Sequence, residues 1–166
     1  MYYPKYSMKK FNLPTCFGFI IISELLGASG SFFTMPAIPT WYRGLIKPFL
    51  SPPNWIFAPV WTILFALMGI SAYLIWLRRT KKKKPVHEAL QFFGVQFLFN
   101  ISWSLVFFGL HSPIGGVGVV VALWIAILAT ILKFYAIDKT AASLLIPYLL
   151  WVSFAAYLTM SIALLN

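Results

Sequence analysis

Five apolar runs of about twenty residues, separated by short polar or proline-containing stretches, constrain this chain more than any other feature. They lie at about residues 14–33, 55–77, 90–110, 114–135 and 142–165. A helix of about 20 apolar residues crosses the ~30 Å hydrocarbon core of a bilayer. In lipid, a helix also satisfies its own backbone hydrogen bonds. The predicted fold class is therefore an all-α integral membrane protein, a bundle of five transmembrane helices forming one domain over 1–166. Only 10% of the residues are charged, against about 25% in a soluble domain, so there is too little polar surface to meet water. A cleaved leader is the competing reading of the first run, because Ala28, Ser29 and Gly30 mimic a cleavage site. Glu24 inside that run argues against it.

The formal net charge of +10 invites a nucleic-acid partner, but its placement gives another account. With five spans, one side of the membrane carries Lys5, Lys9, Lys10, Arg78, Arg79, the lysines at 81–84, Lys133 and Lys139, eleven cations in all. The other side carries two, Arg43 and Lys47. Such a split follows the positive-inside rule, and four or six spans would destroy it. It predicts a multi-pass protein of the cell membrane with a cytoplasmic N-terminus and an exterior first loop and C-terminus. The bilayer is the expected partner and nucleic acid is not. The run at 78–84 reads as a topology anchor, with anionic headgroup binding as the alternative.

Polar residues inside the spans are few. Glu24 falls near mid-membrane beside Ser23, Gly27 and Ser31, which recur every fourth residue and allow a second helix close approach. An ionisable group there marks a functional site by default. The alternative is a protonated carboxyl hydrogen-bonded to a neighbouring helix. Gln96, Asn100 and Ser104 share a stripe with Trp103 and Phe107. Amides at that depth avoid lipid and face a bundle interior or a cavity. Trp61, Phe65 and Met68 share one face of the second span; Trp151, Phe154, Ala155 and Leu158 share one face of the fifth. Gly115, Gly116 and Gly118 make the start of the fourth span thin, hence closely packed or flexible, and Trp124 on that span has no evident polar neighbour. One cysteine, Cys16, excludes an internal disulfide and a cysteine metal cluster, and His87 and His111 stand far apart, so no metal site is expected.

Between the first two spans lies a loop of about 34–54. From Trp41 to Trp61 the chain holds three of its seven tryptophans and four prolines, Pro48, Pro52, Pro53 and Pro59. Each proline removes a backbone donor and pushes its predecessor toward extended geometry. The stretch reads as a stiff aromatic loop folding back over the bundle.

Here the chain resembles the TspO/MBR family of tryptophan-rich sensory and translocator proteins. The matching residues are Trp41-Tyr42, Leu45, Lys47-Pro48, Pro52-Pro53, Trp55, Pro59-Val60-Trp61 and Met68-Gly69. Gln96, Asn100, Trp103 and Phe107-Phe108 follow, then Pro147-Tyr148, Trp151, Phe154-Ala155 and Leu158. The resemblance implies five transmembrane helices, a homodimer, and a pocket capped by the first loop. It implies flat apolar ligands, foremost tetrapyrroles such as protoporphyrin IX, with no required cofactor. In some members porphyrin is degraded under light, which would make Trp61 and Trp151 the photochemically catalytic residues. Tyr42 and Asn100 match pocket positions, and Phe57, Ala58, Ala155 and Leu158 match ligand-lining ones. Trp41, Trp103, Phe107 and Phe154 complete the expected ligand-binding set. Arg43 or Lys47 would attract propionates. Two departures stand out: Gly115 replaces a pocket tryptophan of animal members, and Tyr157 is followed by no cation, which removes their sterol motif. The functional expectation is a tetrapyrrole receptor and sensor; the alternative is a transporter of porphyrins or lipids.

Overall fold

The computed structural model describes residues 11–166, so Lys5, Lys9 and Lys10 lie outside the described residues. Within them the chain is helical, with no strand. The helices are α1 (Leu13–Ala28), α2 (Ser31–Ala37), α3 (Phe57–Leu77), α4 (Lys83–Ser104), α5 (Pro113–Tyr135), α6 (Lys139–Ser143) and α7 (Ile146–Leu165). Four stretches are long and apolar enough to cross a membrane: Asn54–Thr80, Lys83–Gly109, Pro113–Tyr135 and Lys139–Leu165. The pair α1–α2, bent by 42°, makes a fifth. The molecule is thus an all-helical membrane bundle.

Local chemistry explains where the helices start and stop. Asn12 caps α1, its Oδ1 accepting from the Thr15 N–H at 2.9 Å. Ser112 caps α5, with Pro113 in the first turn where a missing N–H costs nothing. The first span differs from its expected single helix over 14–33. It breaks after Ala28 and resumes through α2 to Ala37. At the break the Ser29 hydroxyl donates to the Leu26 carbonyl at 2.6 Å, and the Gly30 N–H reaches back only three residues to Gly27. The small-residue stripe is therefore split, with Ser23 and Gly27 buried and Ser31 across the break. The third helix starts at Lys83, about two turns before the expected 90, because its polar first turns stay helical outside the apolar zone. It ends in a single π turn, Leu105–Gly109. The last span, expected from 142, starts earlier as α6.

In lipid, burial from water does not drive helices together; close packing and interhelical hydrogen bonds do. α1 lies against α3 along small residues. A Cβ on Gly69 would sit 2.6 Å from the Ile20 Cα, and one on Gly27 would strike the Phe65 ring. α5 sits between α4 and α7, and a Cβ on Gly116 would lie 2.8 Å from the Phe107 ring. Trp124 has a polar partner after all, donating its indole N–H to the Ser153 hydroxyl on α7 at 2.9 Å. Its partner is 29 residues away in sequence, beyond the reach of a local pattern.

One end of the bundle carries the 78–84 cations, Lys133 and Lys139. Arg78 there donates to Asp138 at 2.6 and 3.0 Å. The other end carries the connection 38–56.

Candidate functional site

The site lies at the loop end. Residues 38–56 contain two 3-10 turns, Tyr42–Gly44 and Asn54–Ile56. Trp41 and Tyr42 are successive residues of one tight turn, so their rings diverge. Tyr42 turns inward and is buried, 5.5 Å from Phe108 and 6.4 Å from Phe107. Trp41 stacks on His111 at 4.7 Å. His111 takes a left-handed backbone (φ 52°) where the chain reverses between α4 and α5. A second tether lies further on: the Asn166 side chain accepts from the Ile46 N–H at 3.0 Å and donates to its carbonyl at 3.1 Å. Pro48, Pro52 and Pro53 hold the rest extended across the bundle end. The loop covers the bundle end through Tyr42, whereas Phe49 is fully exposed and Trp55 is 72% exposed.

Beneath the inner side of this loop is a cavity of about 420 Å³. α1 and α2 line it with Glu24, Gly27, Ala28, Gly30, Ser31, Thr34 and Met35. α3 contributes Phe57, Ala58, Trp61, Thr62 and Phe65. α4 and its π turn contribute Asn100, Trp103, Ser104, Phe107 and Phe108. α7 contributes Trp151, Ala155, Leu158, Thr159 and Ile162, and the loop adds Ile38, Tyr42 and Asn54. The bend after Ala28 makes this space. α1 packs on α3, whereas α2 turns toward the π turn and α4. Ala28, Met35, Ala58 and Thr62 are exposed lining residues on the two sides of the resulting gap, so it opens sideways between α2 and α3.

Ten of the twelve expected ligand-binding residues line this cavity: Tyr42, Phe57, Ala58, Trp61, Asn100, Trp103, Phe107, Trp151, Ala155 and Leu158. Two do not. Trp41 is committed to the His111 stack and meets Phe107 edge-on, the ring centres 5.5 Å apart. Phe154 lies between Trp151 (5.7 Å) and Tyr157 (6.2 Å). At ~100° per residue it is roughly 80° round α7 from the centre of the cavity-facing side. Arg43 and Lys47 also lie outside the lining, and the Lys47 ammonium sits 4.7 Å from the Tyr42 ring centre. Several lining residues were not singled out from sequence. Thr159 and Ile162 follow Ala155 and Leu158 at four-residue spacing, so helical periodicity carries their signal. Thr34, Met35 and Ile38 carried none, because they depend on the bend.

The chemistry of the walls is apolar and aromatic with a few placed polar groups. The Trp61 ring stacks on Phe65 at 5.2 Å, and the Trp103 ring on Phe107 at 5.5 Å. Trp151 meets Phe57 edge-on at 5.9 Å, bridging α7 and α3. Such offset and edge contacts fix ring planes. The Asn100 amide donates to the Tyr148 hydroxyl at 3.2 Å, so its direction is set. The indole N–H groups of Trp103 and Trp151 are buried with no acceptor. Burial pushes the Tyr42 phenol up from its usual pKa, outweighing a hydrogen bond with Ser51 that acts the other way; it is a neutral donor. No group of three or more His, Cys, Asp or Glu side chains is placed to hold a metal among the described residues.

The family model described as "TspO/MBR family" matches residues 19–165. The chain is 42% identical to "Tryptophan-rich protein TspO" of Chlorobaculum tepidum, over 93% of this chain and 96% of the relative. It is 35% identical to "Tryptophan-rich sensory protein" of Cereibacter sphaeroides, over 76% and 77%. It is 34% identical to "Translocator protein" of Homo sapiens, over 85% and 83%.

Proposed function

From the premise that this chain belongs to the TspO/MBR family, we propose that it is a membrane receptor for flat apolar ligands of the tetrapyrrole class, held in the cavity under the first loop. The observation that carries this reading is the convergence of Trp61, Trp103 and Trp151, from three helices, on one space of about 420 Å³. That volume falls within the range of about 300–1,000 Å³ for small-molecule pockets, which pair apolar walls with a few oriented polar groups. A porphyrin face stacks on indoles, and its polar edges hydrogen-bond with Tyr42 and Asn100. A relative named as a sensory protein supports a receptor. The basic end faces the cytoplasm in this proposal, on the charge split of the sequence.

Titration of the purified protein with protoporphyrin IX in the dark, read by tryptophan quenching, tests the reading. Saturable quenching supports it; no quenching overturns it. Light-dependent degradation is the finer proposal, with Trp61 and Trp151 as the participating indoles and dioxygen as the oxidant. Replacing both by phenylalanine then slows bleaching in light while leaving ring surface for binding. Bleaching at the wild-type rate in that variant rejects their involvement. Flux of porphyrin into sealed vesicles would instead favour transport.

A further inference from the structure

The cavity is electrically lopsided. Glu24 is the one charged side chain among its lining residues. No hydrogen bond or ion pair reaches its carboxyl from any described residue. Chain direction places it in depth. α1, α4 and α7 run toward the loop end, and their first lining residues are Glu24, Asn100 and Trp151. α3 runs away from it, and its last lining residue is Phe65. These four therefore form the floor. Tyr42 and Asn54 form the roof, with Arg43 and Lys47 beyond them on the loop.

We propose that Glu24 is the specificity-determining acceptor of this cavity, selecting flat apolar ligands that carry a basic nitrogen directed at the floor. The inference rests on the cavity being a ligand site, and not on a tetrapyrrole being its ligand. An ionisable carboxyl at membrane depth is costly unless paired. Protein neighbours leave it unpaired, so a cationic guest gains what a neutral one cannot. The ammonium makes a charge-assisted hydrogen bond, stronger in a low-dielectric site than in water. Indole faces nearby add cation–π attraction. A carboxylate brought to the same depth meets repulsion instead, so an anionic group is directed outward to Arg43 and Lys47.

Two probes of similar shape test this in neutral-detergent micelles by tryptophan quenching: 9-aminoacridine, a cation at neutral pH, and acridine, neutral there. The wild-type protein binds the cation about tenfold or more tightly than acridine, the effect expected of one hydrogen bond to a charged group. Glu24→Gln brings the ratio close to unity. Glu88→Gln, an acid on the basic end and outside the cavity, retains the wild-type ratio. Should the glutamine variant fail to fold, Glu24→Asp, which keeps the charge, retains a preference for the cation. A wild-type ratio near unity overturns the inference whatever the variants do, and so does an undiminished ratio in Glu24→Gln. Protoporphyrin IX titrated in parallel keeps the two readings apart. Porphyrin quenching without cation preference defeats the role of Glu24 alone. Cation preference without porphyrin quenching defeats the tetrapyrrole reading alone.

Discussion

At the basic end, Asp138 accepts from the Thr140 and Ala141 N–H groups at 3.0 and 3.1 Å while Arg78 donates to its other oxygen. Burial alone would raise its carboxyl pKa. The Arg78 and backbone hydrogen bonds outweigh that and hold it below the usual range. A depressed folded-state pKa means the stabilisation is full above the unfolded value and is lost as pH falls through the folded one. Thermal stability in micelles is therefore expected to drop below about pH 4, the ordinary aspartate pKa. Asp138→Asn should be less stable at neutral pH and flatter through that acid window. Asn100 gives a second prediction. Tyr148→Phe leaves its amide without the buried 3.2 Å partner and should cost about 1–3 kcal/mol of stability in unfolding measurements. Neither pair was legible in the sequence. Their partners lie 60 and 48 residues apart, and a lone span shows that an amide must face inward without showing what it meets. The inward stripe itself was legible: Gln96, Asn100 and Ser104 are all buried.

At the scale of elements, glycine has opposite meanings at two positions. Gly69 is where α1 crosses α3, and even a methyl group would crowd the Ile20 backbone. Gly69→Ala should destabilise by about 1–3 kcal/mol, the usual cost of overpacking. Gly94 on α4 has open space around its Cβ position. Gly94→Ala should stabilise by about 0.5–1 kcal/mol through helix propensity. Comparing the two melting shifts in one detergent checks both. The all-helical bundle was readable from apolar run length, because one physical rule sets the length of a span. The bend at Ser29–Gly30 and the π turn at Leu105–Gly109 were not, since both are choices among nearly equal backbone hydrogen-bond registers that packing decides. The cavity-facing tryptophans were found through residue spacing and family likeness. Trp41 and Phe154 lie outside the cavity lining because neighbours in a turn or on a helix diverge by angles that only coordinates resolve.

For the whole molecule, the segregation of cations to one end makes orientation testable. In a Cys16→Ser background, Phe49→Cys on the loop should react with a membrane-impermeant maleimide added to intact cells. Lys81→Cys at the basic end should react only after permeabilisation. The reverse pattern would invert the proposed topology. The divergence of α2 from α3 bears on how a guest arrives. In the proposed orientation a gap directed sideways would let a guest arrive through the leaflet. Apparent affinity should then rise with a compound's lipid partition coefficient, and added vesicles that carry no protein should compete for it in proportion to their mass.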